Sequence, residues 1–425
     1  MESNNTNNKN NIVVKSTRIT VIDALRGFAL LGVVIIHMAQ HYGIFSFSMM
    51  EGPREPLFPA FDQVVNWIVR NVVTNKFINI FAFLFGMSFF IQMDRAKQKG
   101  QDFRKRFLWR MLILLVIGLI GNSFYTAEIL PLYAFFGVIL VFLYPLKNSV
   151  LILITVLLLL GTPRIAYTAY DKVTHVEQVE TAVQEAPTEF PAMGENFEMP
   201  EHMRNPSYWN SAKNNLTDGF IWKLHLQFGM IGRGYITLAL FILGLVVGRI
   251  RFFENVHLLK KRNYMLLGGF ALAYLVIEIA LANLPPLTFM YMIPEGMEIT
   301  PLLLTVMTLE DLSTVALSGV YVMAFIICYH LNGIRKYLDA IAPYGRMGLT
   351  NYETQGILGC LIFSMWGFGS IFGGWGATEV FFLGLVVYVL QAWISKCWLK
   401  VFNYGPYEWF WRCATYMKIQ PLKKS

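Results

Sequence analysis

The densest chemistry in this sequence lies in one apolar run, Arg18 to Tyr42, RITVIDALRGFALLGVVIIHMAQHY. Its middle is hydrophobic enough to cross a bilayer, yet it carries Asp23, Arg26, His37 and His41. Ionisable groups inside a spanning helix are costly, so they normally face a cavity or a partner and mark function. At about 100° per residue, positions 23, 26, 37 and 41 fall within an arc of about 60°. Leu30 and Val33 share that stripe, which is polar at both ends and apolar between. A neutral imidazole, with an ordinary pKa of about 6.5, can act as a general base or a nucleophile. A guanidinium at a cavity mouth suits a phosphate or carboxylate through forked hydrogen bonds. The plainer alternatives are that Asp23 and Arg26, at i and i+3, pair with each other, and that His37 bonds across a helix interface. His41 reads as interfacial.

Other polar residues stand within or beside apolar runs. Glu128 occupies a short loop at the far end of a span from Arg106 and Arg110. Glu278 falls inside one run, and Glu353 inside another beside Asn351, Tyr352 and Gln355. Carboxyls so placed can relay protons, or pair with an arginine such as Arg233. Asn351 and Gln355 are one helical turn apart and can bond across helices or orient a substrate. The basic loop 94–110 could hold coenzyme phosphates, but inside-facing topology and anionic lipid account for it. Cys328, Cys360, Cys397 and Cys413 have no CxxC spacing, so neither a disulfide framework nor a metal site is expected. The run GFGSIFGGWG at 367–376 lacks the strand and Lys-Ser/Thr of a phosphate loop and reads as a flexible outer turn or a re-entrant loop.

The elements that must position these groups follow from composition. The chain has 425 residues, 55% hydrophobic and 15% charged, where soluble domains carry about 25% charged residues. An all-α polytopic membrane protein is the class that fits. The net charge of +8 does not argue for nucleic acid, because much of the base sits in short loops between apolar runs. Ten runs of spanning length can be marked, at about 20–42, 73–93, 106–124, 129–145, 149–168, 228–249, 264–284, 312–331, 349–368 and 378–401. Their loops alternate between basic and acidic or neutral, which predicts both termini in the cytoplasm and a place in the cytoplasmic membrane.

This divides the chain into a disordered tail 1–17, a five-helix half 18–168, an extracytoplasmic insert 169–227, a second half 228–404, and a cytoplasmic segment 405–425. No cleavable signal peptide is expected. Within 43–72, EGPREP reads as a break before a short interfacial or re-entrant helix. The insert is rich in glutamate and reads as a partly mobile cap anchored by Tyr208, Trp209, Phe220 and Trp222. Gly244 and Gly248, four apart, predict a close helix contact.

Several stretches resemble one bacterial family. Arg18…Asp23-Ala-Leu-Arg26-Gly27-Phe-Ala-Leu-Leu-Gly is similar to the opening of the YeiB-like multi-spanning proteins. KFINIFAFLFGMSFFIQMDRA (76–96) resembles their second span, and EILPLYAFFGVILV (128–141) their fourth, with Glu128 where Asp is usual. GRMGLTNYETQ (345–355) and GPYEWFWRCATY (405–416) resemble their C-terminal signature. That family is grouped with transmembrane acyltransferases, one branch of which carries Arg-x10-His on its first span, the spacing of Arg26 and His37. The resemblance implies His37 as the catalytic histidine and Arg26, with Asp23 and Arg18, on the donor side. From their place in or beside the apolar runs, Glu128, Asn351, Glu353 and Gln355 are read as supporting intramembrane polar groups. Many YeiB-like members carry Asn where this chain has His37.

The function expected is therefore an O-acyltransferase that moves an acyl group, acetyl above all, from cytoplasmic acyl-CoA to an extracytoplasmic hydroxyl. Its partners would be membrane lipid and an envelope polysaccharide or lipid-linked acceptor, without nucleic acid. Two other classes use the same features. A transporter or flippase would line a permeation path with the polar face, and a scaffold would bury His37 in an interface.

Overall fold

The computed structural model describes residues 20–43, 57–174, 201–229, 232–287, 298–331 and 333–424. Arg18, the tail 1–17, the break EGPREP and the stretch 175–200 of the insert lie outside them. Among the described residues regular structure is helical, apart from one bridge between Phe402 and Lys423. Helices suit a lipid solvent because each satisfies its own backbone. In chain order they are α1 (Thr20–Ala39), α2 (Pro59–Ile68), α3 (Lys76–Gln98), α4 (Arg104–Phe124), α5 (Leu130–Leu143), α6 (Asn148–Leu159) and α7 (Thr162–Thr174). Then come α8 (Glu201–Arg204), α9 (Tyr208–Leu216), α10 (Asp218–Phe228), α11 (Gly234–Arg249), α12 (Lys260–Ala282) and α13 (Pro301–Tyr329). The last six are α14 (Arg335–Ala340), α15 (Ala342–Arg346), α16 (Gly348–Phe363), α17 (Gly369–Phe372), α18 (Ala377–Val401) and α19 (Pro406–Tyr416).

Six helical stretches are long and apolar enough to cross a bilayer: α1, α2 running into α3, α4, α12, α13 and α18. The bent pair α6–α7 qualifies as a seventh if taken as one span, while α5 and α11 are apolar but shorter. The chain is thus a multi-pass membrane protein.

The central helix is α1, with Ala24, Leu25, Ala29, Leu30, Val34 and Met38 enclosed completely. It is flanked by α3, α15, α16 and α18. Glycine permits the tightest of these contacts. A Cβ on Gly27 would sit 2.5 Å from the Ile341 carbonyl oxygen, and one on Gly345 would sit 1.9 Å from that of Asp23. Here α1 and α15 touch backbone to backbone, as small residues allow in membranes.

The α3–α11 pair repeats the device. A Cβ on Gly244 would lie 2.1 Å from the Phe83 oxygen, and one on Gly86 would lie 1.9 Å from the Phe241 oxygen. The close contact expected at Gly244 and Gly248 is therefore present, with Gly86 as its counterpart. Gly86→Leu is expected to lower the thermal midpoint in detergent, because overpacking a filled contact costs about 1–3 kcal/mol. An unchanged melt, followed by tryptophan fluorescence, would show that the two helices separate without penalty.

Several helix ends depart from the sequence reading. The α1 helix stops at Ala39, and His41 and Tyr42 take left-handed φ values of 47° and 55°. His41 therefore leaves the stripe of Asp23, Arg26 and His37 and packs edge-on against Phe363. The helix containing Asp311 begins at Pro301 rather than near 312. Thr300 caps it through Leu303 N (3.1 Å), and Pro301 takes the first turn, where its missing N–H is harmless. Glu310 and Asp311, just outside the run marked at about 312–331, are thus helix residues. The segment after the break forms α2 as expected, with Phe61, Val64 and Trp67 exposed. A π-turn at Val69–Val73 and a left-handed Asn75 separate it from α3. The described part of the insert is largely helical: α9 docks onto the end of α4, with Tyr208 Oη 3.0 Å from Ser123 Oγ, and α10 reaches α4 through the bond from Lys223 to Asn122.

Candidate functional site

His37 leaves α1 into a box of three tyrosines. Its Nδ1 lies 2.5 Å from the Tyr125 hydroxyl. The Tyr42 ring stacks on the imidazole at 5.3 Å, and the Tyr125 and Tyr352 rings meet it edge-on at 5.0 and 6.4 Å. Each partner comes from a different place: Tyr42 from the turn after α1, Tyr125 from the end of α4, and Tyr352 from α16. When Nδ1–H donates to the tyrosine oxygen, Nε2 is left as a base. Second groups of this kind fix both tautomer and ring plane.

Behind Tyr352 lie two carboxyls. Glu128 and Glu353 are only 1% and 2% exposed. A Cβ on Gly121 would sit 2.7 Å from Glu353 Oε2 and 3.2 Å from Glu128 Oε2, so both converge on that glycine. Glu128 Oε1 accepts the Leu130 N–H at 2.9 Å, and the Tyr352 hydroxyl beside it accepts the Ile129 N–H at 3.3 Å. A carboxylate suits the start of α5, where unpaired N–H groups point. Among the described residues Glu353 Oε1 has no hydrogen-bond partner. Since nearly all buried polar atoms are paired, such an atom is a natural place for a ligand hydroxyl.

Lys223 of α10 completes this wall. Its Nζ donates to the Glu128 backbone oxygen (3.0 Å) and to the Asn122 side-chain oxygen. Burial pulls its ammonium down to about 8, and the Glu128 charge opposes that shift. Asn122 in turn donates to the Asn215 carbonyl at 2.6 Å. Sequence reasoning missed Tyr125, Asn122 and Lys223. A lone Asn within the apolar run of α4 was the available signal, since a polar side chain there needs a partner.

Arg26 occupies the other end of α1. Its Nη1 bonds Asp23 Oδ1 at 2.9 Å, and its Nη2 donates to Ser88 Oγ on α3. The Asp23–Arg26 pairing expected from their spacing is present. Arg26 and His37 are separated by about 16 Å of helix, and Leu30 and Val33 between them are 0% and 2% exposed. The structure therefore does not bring the two together. Its fork is already used on a carboxylate and a hydroxyl.

Asn351 and Gln355 point away from Glu353, across α16. Asn351 Nδ2 donates to the Tyr344 carbonyl (2.9 Å) and to Ser395 Oγ (3.0 Å). Gln355 Nε2 donates to the Tyr344 hydroxyl and to Gln391 Oε1 (3.1 Å). These residues brace α15, α16 and α18 and are not grouped with His37. Asn351→Ala is expected to cost about 1–3 kcal/mol through unpaired buried partners. The thermal midpoint should fall while the apparent KM for any substrate stays unchanged.

A second polar cluster was not foreseen. Asp311 on α13 takes Arg164 Nη2 at 2.9 Å and Arg233 Nε at 2.9 Å, and the Tyr235 hydroxyl bonds its Oδ2 at 2.7 Å. Arg233 thus serves Asp311 rather than Glu278 or Glu353. Glu278 is exposed on α12, a helix that shows its apolar side chains to the lipid, and it accepts from Ser313 Oγ at 2.5 Å. It is not a buried relay carboxyl. Among the described residues no three His, Cys, Asp or Glu are grouped to hold a metal.

Comparison with known proteins adds breadth and no chemistry. Residues 247–418 match a family described as "Protein of unknown function (DUF418)". The chain is 27% identical to the uncharacterized protein YxaH of Bacillus subtilis (strain 168), over 96% of each chain. It is 25% identical to an uncharacterized 39.9 kDa protein of Bacillus acidopullulyticus, over 95% of this chain and 96% of that one. To the uncharacterized protein YeiB of Escherichia coli (strain K12) it is 24% identical, over 95% of this chain and 98% of the other.

Proposed function

With its likeness to YeiB-like proteins supported along nearly the whole chain, we propose that this protein is a membrane O-acyltransferase. It would carry an acyl group, acetyl first, from acyl-CoA to a hydroxyl on the outer side. The observation that carries this reading is the tyrosine-bound imidazole beside a buried carboxyl pair. With Tyr125 holding Nδ1, His37 Nε2 takes the proton of the acceptor hydroxyl. The hydroxyl oxygen then attacks the thioester carbonyl; an ester forms, the carbon–sulfur bond breaks, and the proton passes to the leaving thiolate.

The alternation of basic with acidic or neutral loops supports ten passes through the cytoplasmic membrane with both termini in the cytoplasm. On that orientation the donor enters where α4 meets α19. Arg110 lies 3.5 Å over the Trp411 ring, and Arg106 and Arg412 face Tyr416 at 5.2 and 5.3 Å. Among the described residues none of these three has a carboxylate partner. Guanidiniums without acidic neighbours suit the phosphates of a coenzyme better than Arg26, whose fork is engaged. The same α19 reaches the α16 start, where Glu408 accepts Leu349 N at 2.7 Å and Thr350 Oγ1 at 2.5 Å, one turn before Glu353. Donor and acceptor sides thus meet along α16.

Reconstituted protein should transfer label from radiolabelled acetyl-CoA to envelope lipid or polysaccharide, and His37→Ala should abolish it. Equal transfer by both proteins overturns the assignment. A transport reading has one specific support, the 57° bend between α6 and α7. The second arm carries Arg164, which bonds Asp311 at 2.9 Å, and broken helices often mark solute sites. Uptake of a solute without labelled product would favour that reading.

A further inference from the structure

Between α4, α5 and α10 runs a cleft of about 430 Å³. Leu112, Leu115, Ala134, Val138 and Phe228 line its length, and its polar lining is Glu128, Lys223 and Gln227. Leu112 and Phe228 are each 49% exposed, so the cleft is open along the flank of the helices. A soluble protein would cover such a surface; here the solvent beside it is hydrocarbon. Its volume lies within the range of single small-ligand sites, about 300–1,000 Å³.

Two features restrict the occupant. The long apolar wall fits a hydrocarbon chain. The polar end carries Lys223 and Glu128, with the Glu353 carboxyl just behind, so it offers donors and acceptors without a surplus of positive charge. Lys223 is already directed at Asn122 and at the Glu128 backbone. This favours an uncharged, hydroxylated head over an anionic one.

We propose that the cleft binds one chain of a membrane lipid with an uncharged, hydroxyl-bearing head, of the diacylglycerol type, and holds that head at Glu128. Glu128 lines the cleft, the N–H of the next residue, Ile129, donates to the Tyr352 hydroxyl at 3.3 Å, and the Tyr352 ring is 6.4 Å from His37. A head group at Glu128 is therefore one side chain from the imidazole. The inference rests on the acyl-transfer reading only in making the lipid hydroxyl the acceptor; binding of the chain does not depend on it.

The test uses a diacylglycerol with a diazirine on one chain, in phosphatidylcholine vesicles containing the whole protein. After illumination, cross-links should concentrate on peptides from 108–138 and 220–228, with excess unlabelled diacylglycerol displacing them. Leu112→Trp and Val138→Trp fill the cleft from partly exposed positions that tolerate bulk. Either should lower labelling there by about tenfold, equivalent to about 1.4 kcal/mol, with an unchanged thermal midpoint. Labelling spread over lipid-facing helices such as α12, or unmoved by both tryptophans, overturns the proposal. Displacement by phosphatidylglycerol but not by diacylglycerol overturns the uncharged head. Labelling of the cleft without His37-dependent acetyl transfer refutes the enzyme reading and leaves the lipid site standing. The reverse pattern refutes the lipid site alone.

Discussion

His37→Ala is expected to reduce acetyl transfer by about 10²–10⁴, the usual contribution of a positioned general base. The imidazole sits at the edge of a tyrosine box, so its loss leaves a small void rather than an unpaired charge, and the fold should survive. Tyr125→Phe separates chemistry from packing. The ring remains against His37 at the same place, while the 2.5 Å bond to Nδ1 is lost. The histidine then keeps its position but not its enforced tautomer. Transfer should fall through kcat with KM little changed, as for an interaction made in the transition state. If Tyr125→Phe leaves kcat intact while His37→Ala abolishes it, the tyrosine only packs. If both variants transfer acetyl at the wild-type rate, the box is structural.

Asp311→Ala should be the most destabilising single change among the described residues. Asp311 is 7% exposed and is shared by Arg164, Arg233 and Tyr235. Removing one member of a buried ion pair costs about 3–5 kcal/mol, because the remaining charges stay in a low-dielectric site. The pairs tie α13 to α7 and to the start of α11, so the loss should spread through three elements. A lower thermal midpoint and reduced recovery of monodisperse protein in detergent are the readouts. Asp311→Asn keeps shape and hydrogen bonding but removes the charge, so it should fall between wild type and Ala. Asn and Ala behaving alike would mean that charge, rather than geometry, holds the cluster. A wild-type melt for Ala would mean that the arginines find other partners at no cost.

Much of the membrane architecture was legible because it depends on local composition. The run from Thr20 to Ala39 had to be a helix, and its period put Asp23, Arg26 and His37 on one face. The Gly244–Gly248 spacing announced a close contact, and the structure supplies Gly86 as its other half. Charge misled the reading at Asp311. A carboxylate looked like the end of a span, yet two arginines distant in sequence neutralise it within the helix. At His41 the periodic extrapolation failed for a different reason: the chain leaves the helix through two left-handed residues, and no hydrophobic pattern records that turn.

What the sequence determined by itself is a multi-pass helical protein with a first helix too polar for an inert span. Those properties follow from transfer energies and helical period, which act residue by residue. Only tertiary structure decided which polar groups share a site. His37 meets Tyr125 and Tyr352 across 88 and 315 residues of chain, whereas Arg26, on its own helix, stays a full 11 residues away behind packed Leu30 and Val33. Glu353 joins Glu128 at Gly121, while Asn351 and Gln355, within two residues of it, turn to the opposite side of the same helix. Helix faces are set by period. Which face meets which is set by packing between segments whose spacing along the chain carries no such information.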